Sequence, residues 1–382
     1  MLSLPPLYPI TDARNPLPLA EQVRRLGAAG FPLVQFRGKP LDPQEQWLQL
    51  WQALREARDS GGWPMICVND RADLAVLATS QGLEPWGLHL GQDDLPPSEA
   101  RRLPGLGEAH LGTSTHEPAE WGRVDGACDH AGLGPFRATV TKGDHAEPIG
   151  LEGLRRGCAA LRGQGLAPVA IGGLTFADAE DCFRAGAESL AMVGEIARAE
   201  RPEALLWEAQ LARWRVRPLL SVGQGVTFIG GSGSGKSQLA QALGARLALP
   251  VRDLDELVER RAGRSISRIF AEDGEAAFRR LEEDMLSESL GSPCVLALGG
   301  GAWQSLTIRE RLGASDHQVL WLAENSAVAW ARVAQDPGRP LAGDRTLFMG
   351  RWRSRMTHWG KAPMVLPLGR TPEELADRIL AP

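Results

Sequence analysis

The sequence predicts an α/β protein in two parts: an N-terminal (β/α)8 barrel, then an open three-layer α/β domain on a parallel sheet. Three observations predict it. Short, nearly continuous apolar runs alternate with stretches whose apolar residues recur at helical spacing, as in parallel sheets covered by helices on both faces. Eight such units fill roughly the first 200 residues, the content of one barrel. Near Arg217 the rhythm breaks, and it resumes with a strand, a glycine-rich turn and a helix.

Taken in order, the first strand is LYPITD from Leu7, followed by the amphipathic LAEQVRRLGAAG; LVQFRG from Leu33 precedes QEQWLQLWQALREA. MICVND from Met65, GLHLGQ from Gly87, HLGTST from His110 and HAGLGP from His130 continue the series. PVAIGG from Pro168, the helical FADAEDCFRAGA and SLAMVG from Ser189 complete it. Each strand ends in a polar or glycine-rich tip, and in a barrel these tips gather at one end. The stretch 200–224 reads as a closing helix and a Pro- and Gly-containing connector. The expected boundaries are residues 1–205 for the barrel, 206–222 for the linker and 223–382 for the second domain. There the strands are GVTFIGG, PVRDLD, PCVLALGG, HQVLWLA and MVLPL, with QLAQALGARLAL as the first helix.

Composition bounds the function classes. The 382 residues suit two or three domains. With 42 Lys+Arg against 47 Asp+Glu the net charge is −5, so no basic field advertises nucleic acid. Five cysteines without a Cys-x-x-Cys spacing argue against a disulfide framework or zinc knuckle and for a reducing compartment. No apolar run approaches the roughly 20 residues of a membrane span. The opening MLSLPPLYPITDARN lacks the basic flank and apolar core of a signal peptide, so a cytoplasmic location is expected.

The barrel tips carry Gln35, Arg37 and Lys39; Asn69 and Asp70; His89, Gln92 and Asp94; Ser114 and His116; Thr139, Thr141 and Lys142; and Gly172-Gly173. Cations, amide and hydroxyl donors, carboxylates and glycine amides converging on one rim suit a Mg2+-bound polyphosphate. In the second half, Gly230, Gly231, Ser232, Gly233, Ser234, Gly235, Lys236 and Ser237 fill the pattern G-x-x-x-x-G-K-[ST] between a strand and a helix. Such a loop wraps backbone amides around phosphates; Lys236 is expected to reach the β- and γ-phosphates of ATP, and the Ser237 hydroxyl to ligate Mg2+.

After this loop come Asp253-Leu-Asp255, Gly274-Glu-x-x-Phe-Arg279, the triplet Gly299-Gly300-Gly301 and Arg339-Pro-Leu. From about Gly225 to Leu380 the chain resembles shikimate kinase. The resemblance implies that Asp253 holds the Mg2+ shell, while Asp255 orients the substrate hydroxyl and accepts its proton. Arg279 and Arg355 would clamp the shikimate carboxylate beside the glycine triplet. Arg339 would stabilise the transferring phosphoryl group, and Arg332 and Arg370 would complete the ATP site together with Gln238, which replaces the family's usual threonine after the loop serine and leaves the Mg2+ ligand untouched. Thr357 and Trp359 replace the family's usual proline and tyrosine, so Arg351 or Arg353 remains an alternative to Arg355. A gluconate or other small-acid kinase is the alternative within the class.

The strings QFRGK, VND, GLHLGQDDLP, LGTSTH, GLGPFRATVTK and AIGG resemble thiamine-phosphate synthase and its relative the thiazole tautomerase, over roughly Leu7 to Ala199. The resemblance implies Asp70 and Asp94 as Mg2+ ligands. Gln35, Arg37, Lys39, Asn69, Ser114 and Lys142 would hold the aminopyrimidine pyrophosphate, and Thr139, Thr141 and Gly173 the thiazole phosphate. It also implies frequent self-association of the barrel. Gly194 and Glu195 replace small residues of the family, and Phe136-Arg137 an apolar residue and a proline. His116 leaves a tautomerase open, since a placed imidazole can shuttle a proton, and a non-catalytic barrel is a further alternative.

Overall fold

The computed structural model describes residues 4–138, 147–220, 223–334, 344–360, 362, 365–366 and 370–380. The chain divides into two compact units, Met1–Arg217 and Pro218–Pro382.

The first unit is the expected barrel. Strands β1 (Leu7–Pro9), β2 (Leu33–Phe36), β3 (Met65–Asn69), β4 (Gly87–Leu90), β5 (His110–Thr115), β6 (His130–Leu133), β7 (Ala167–Ile171) and β8 (Ser189–Met192) pair in parallel, in the order β1-β8-β7-β6-β5-β4-β3-β2. The ring closes where Ile10 bridges Gln35 and the Thr11 amide donates to the Gln35 carbonyl at 3.0 Å. Almost every strand residue is buried, because helices cover the outside and side chains fill the inside. Helix α1 (Leu19–Ala28) presents Leu19, Val23 and Leu26 to the core, and α2 (Pro43–Asp59) presents Leu50, Ala53 and Leu54. Asp42 caps α2 by accepting from the Gln44 and Glu45 amides.

Helix α9 (Pro202–Val216) carries the first unit through residues expected in the linker. Its Trp214 is wholly buried, and Arg213 donates to the carbonyls of Leu4 and Glu188 at 3.0 and 3.2 Å. Arg217 follows, donating to Glu188 Oε1 at 2.8 Å.

The second unit has a five-stranded parallel sheet: β9 (Gly225–Ile229), β10 (Val251–Asp253), β11 (Val295–Ala297), β12 (His317–Leu322) and β13 (Val365–Leu366), in the order β10-β11-β9-β12-β13. The first strand is central and its neighbours come from later in the chain on both sides. A crevice therefore opens at its carboxyl end. Helices α10 (Lys236–Leu247), α11 (Leu254–Ala262), α12 (Ile266–Ser289) and α15 (Arg345–Trp359) supply the walls that matter below. Asp255, expected at a strand tip, stands in the first turn of α11, because the Asp253 carboxylate accepts its amide at 3.0 Å and starts the helix there.

Candidate active sites

At the barrel rim the residues from β2, β3 and β4 meet. Lys39 Nζ lies 2.6 Å from Asp70 Oδ2, and Asp70 is hydrogen-bonded to Asp94. Asp94 Oδ2 accepts the Gly91 amide at 2.7 Å. Burial opposes ionisation of Asp70, but hydrogen bonds from Lys39 and Asp94 and the Lys39 charge outweigh it, holding the carboxyl below its ordinary value. For Asp94, burial and the Asp70 charge push the other way. Two carboxylates in contact share a proton or a cation. Asp70 also has φ +62°, a left-handed conformation that costs an L-residue about 1 kcal/mol and here turns its side chain onto the rim.

Arg37 is half-buried; its amide donates to Thr11 Oγ1 at 2.9 Å. Burial lowers its pKa, while the Asp70 and Asp12 charges work against that fall. Asn69 ends β3 nearby, largely buried. Gln35 instead points inside the barrel, where its amide reaches Tyr8 Oη at 3.4 Å, so it is set back from this cluster. Ser114 Oγ lies 3.0 Å from His89 Nε2, and Gln92 donates to the Ser114 carbonyl. Thr139, Thr141 and Lys142 lie outside the described residues.

On the opposite side of the rim, Gly172 and Gly173 have φ of +92° and +67°. A Cβ on Gly172 would stand 2.7 Å from the Pro135 Cα, so glycine lets the β7 and β6 loops touch. Glu195 Oε2 accepts the Phe176 amide at 2.9 Å, just past these glycines. Arg137, in the departing Phe136-Arg137 pair, forms a two-pronged ion pair with Asp178. His116 is engaged in the turn after β5: its amide donates to Glu120 at 2.5 Å and its ring lies 3.8 Å from the same carboxylate.

In the second unit the glycine loop leaves β9 and ends at Gly235, φ +91°, the N-cap of α10. Lys236 Nζ donates to the Gly231 carbonyl at 2.8 Å. The Ser234 hydroxyl is buried with no hydrogen-bond partner among the described residues, as suits a loop whose donors await phosphate oxygens. Ser237 Oγ lies 2.7 Å from Asp253 Oδ2, so the hydroxyl and carboxylate expected to share Mg2+ already converge. Arg332 donates to the Gly233 carbonyl and pairs with Glu324 at 2.6 Å, against the loop. Gln238 is exposed on α10, and Arg370 precedes the helix Pro372–Leu380 near Arg378. Arg339 lies outside the described residues.

The glycine triplet joins this loop to a charged pocket. A Cβ on Gly299 would lie 2.4 Å from Asp255 Oδ1 and 3.1 Å from Glu282 Oε1. One on Gly300 would lie 3.2 Å from Arg355 Nη1 and 3.5 Å from the Ser232 amide, and one on Gly301 3.1 Å from Arg279 Nη2. Of the three candidate arginines, Arg355 alone is partly buried; Arg351 and Arg353 are exposed. Glu282, which sequence reasoning missed, is buried and pairs with Arg279 at 2.7 Å. Its signal was the i,i+3 spacing from Arg279 on α12. Burial lowers the Arg355 pKa, and the like charges of Arg279 and Arg351 add to the fall. Burial opposes the Arg279 charge too, but Glu282 and Glu275 outweigh it and hold that guanidinium above its ordinary value. The pocket thus holds more positive charge than its own carboxylates balance at Arg355.

Fold and sites together define a two-domain transferase, a phosphate-handling barrel joined to a P-loop kinase. A family model described as thiamine monophosphate synthase matches residues 7–196, and one described as shikimate kinase matches residues 232–380. Thiamine-phosphate synthase of Chloroflexus aurantiacus is 37% identical over 223 residues, covering 57% of this chain and 94% of the relative. The synthase of Moorella thermoacetica is 40% identical over 182 residues, 47% of this chain and 80% of the relative. Shikimate kinase of Thermobifida fusca is 40% identical over 157 residues, 40% of this chain and 90% of the relative. The chain belongs to the thiamine-phosphate synthase family through its first unit and to the shikimate kinase family through its second. No helix among the described residues is long and apolar enough to cross a membrane.

Proposed function

We propose that the chain is a cytoplasmic bifunctional enzyme. Its second unit transfers the ATP γ-phosphate to the 3-hydroxyl of shikimate, and its first condenses aminopyrimidine pyrophosphate with thiazole phosphate to give thiamine phosphate and pyrophosphate. The observation that carries the kinase reading is Gly300, which brings Arg355 and the phosphate-loop amide of Ser232 to one point. The Lys39–Asp70–Asp94 cluster carries the synthase reading.

In the kinase, Arg355 and Arg279 grip the substrate carboxylate through planar guanidinium forks. Asp255, turned toward Gly299, orients the ring hydroxyl and takes its proton as the new P–O bond forms. Lys236 leaves the Gly231 carbonyl to neutralise the β- and γ-phosphates, and Arg339 joins it. Phosphoryl transfer needs little beyond this positioning and charge. In the barrel, Arg37, Lys39, Asn69 and Lys142 stabilise the departing pyrophosphate, while Thr139, Thr141 and Gly173 seat the thiazole phosphate. Neutralising the leaving group is the main demand of that reaction. Magnesium fits Ser237 with Asp253 and Asp70 with Asp94; bound there, it supplies further charge neutralisation at phosphate oxygens. The engagement of His116 with Glu120 favours a turn-capping role over proton shuttling in a tautomerase.

The test assays both reactions on the intact chain. Lys236→Ala should abolish shikimate-dependent ADP release and leave thiamine phosphate formation unchanged. Asp70→Asn should do the reverse, lowering synthase kcat/KM by at least about 100-fold. Loss of both activities in either variant, or neither, overturns the assignment.

A further inference from the structure

The barrel interior holds a row of side chains that the chemistry above does not use. Ser114 Oγ lies 3.0 Å from His89 Nε2, His89 Nδ1 lies 3.3 Å from His130 Nε2, and His130 Nδ1 lies 2.9 Å from His110 Nε2. His110 Nδ1 faces Asp129 Oδ2 at 3.7 Å, longer than a hydrogen bond but well within reach of the carboxylate charge. All three rings are buried. His110 and His130 open β5 and β6, His89 sits within β4, and Ser114 stands near the far end of β5, so the row runs from the barrel floor to the rim. The surroundings are shaped to hold it. A Cβ on Gly112 would stand 2.0 Å from His130 Cε1 and 2.7 Å from His89 Nδ1. Trp86 stacks on His110 with centroids 4.2 Å apart, and Tyr8, the chain's one tyrosine, meets His130 edge-on at 5.9 Å.

We propose that this row sets the polarity of the Ser114 hydroxyl, with His130 and His110 as positioning residues that act through His89. A neutral imidazole donates at one nitrogen and accepts at the other, so rings in series must all point the same way. Burial holds the His130 pKa well below its ordinary value and keeps that ring neutral. The Asp129 carboxylate, an acceptor only whose Oδ2 also takes the Leu111 amide at 2.8 Å and Arg101 Nη2 at 3.2 Å, favours a proton on His110 Nδ1. His110 Nε2 then accepts from His130 Nδ1–H, His130 Nε2 from His89 Nδ1–H, and His89 Nε2 from the Ser114 hydroxyl. Ser114 therefore turns lone pairs to the rim. Among the groups of an aminopyrimidine pyrophosphate these match the ring's amino group, a donor, and not the phosphate oxygens. The inference assigns Ser114 to the pyrimidine end of the substrate, and in that consequence it rests on the synthase reading.

Nitrogen-15 NMR of the histidine rings in the intact chain tests the row directly, with kinetics as the second arm. All three rings should carry their proton on Nδ1; a proton on His89 Nε2 overturns the proposal. His130→Phe, which cuts the row, should reduce the preference for aminopyrimidine pyrophosphate over its des-amino analogue about tenfold, one hydrogen bond's worth, and leave the KM for thiazole phosphate unchanged. Altered thermal stability with unchanged amino preference also overturns it. Gly112→Ala, pressing on the same rings, carries the same expectation should His130→Phe fail to fold. An intact chain that makes no thiamine phosphate removes the synthase reading, while the ring protons still decide the row.

Discussion

Glu195 is a single residue whose charge and hydrogen bond can be separated. Its carboxylate holds the Phe176 amide beside Gly172 and Gly173, where the resemblance places the thiazole phosphate. An anion there repels phosphate, and the repulsion is screened by salt. Glu195→Gln keeps an acceptor for the amide and removes the charge. The KM for thiazole phosphate should fall about two- to fivefold at low ionic strength, with the advantage shrinking as salt rises; an unchanged KM at low salt would place the phosphate elsewhere. The sequence made Glu195 visible as a departure but not its partner, because Phe176 arrives from a different strand's loop. The same holds for the histidine row. His89 was legible as a strand-tip residue, but its contact with His130 depends on the parallel register of three strands, which no local spacing states. Asp70 and Asp94, by contrast, were both named at strand ends and do meet.

At the scale of elements, α12 lines the kinase pocket with Arg279 and Glu282, and α15 with Arg355. The choice among Arg351, Arg353 and Arg355 turns on helix phase: Phe348, Trp352, Met356 and Trp359 form the buried stripe of α15, and among the three arginines only Arg355 is partly buried beside it. That stripe was present in the sequence, but a family pattern broken at Thr357 and Trp359 obscured it. On α12, burial raises the Glu282 carboxyl from 4.5 to about 6, with Arg279 opposing the rise. Between those values the folded chain holds a proton that the unfolded chain has lost. The contribution of Glu282 to stability therefore falls as pH rises from about 4.5 to about 6, and is constant above. Thermal or denaturant unfolding of the intact chain and Glu282→Gln across this window should show the difference moving against the natural residue by about 2 kcal/mol. A difference independent of pH would contradict the raised value.

For the whole molecule, the thirteen strands named in the sequence all appear, because parallel strands buried on both faces announce themselves by continuous apolarity; β10, at the sheet edge, is the half-buried exception. The extent of the first unit was less legible. Helix α9 has apolar and polar residues on all sides, and what ties it down is Arg213, whose partners Leu4 and Glu188 are remote in sequence. A fragment ending at Arg217 should fold cooperatively and keep synthase activity. One ending at residue 205 removes Trp214 and Arg213 and should lose several kcal/mol, read as a large drop in Tm or as insolubility. Equal stability of the two fragments would show that α9 is dispensable. Finally, the division at Arg217–Pro218 occurs within one polypeptide. Each round of translation delivers the two catalytic units in a fixed one-to-one ratio, so neither supply can be adjusted without the other. A lesion that unfolds either unit exposes the shared polypeptide to proteolysis, coupling the abundance of the two activities.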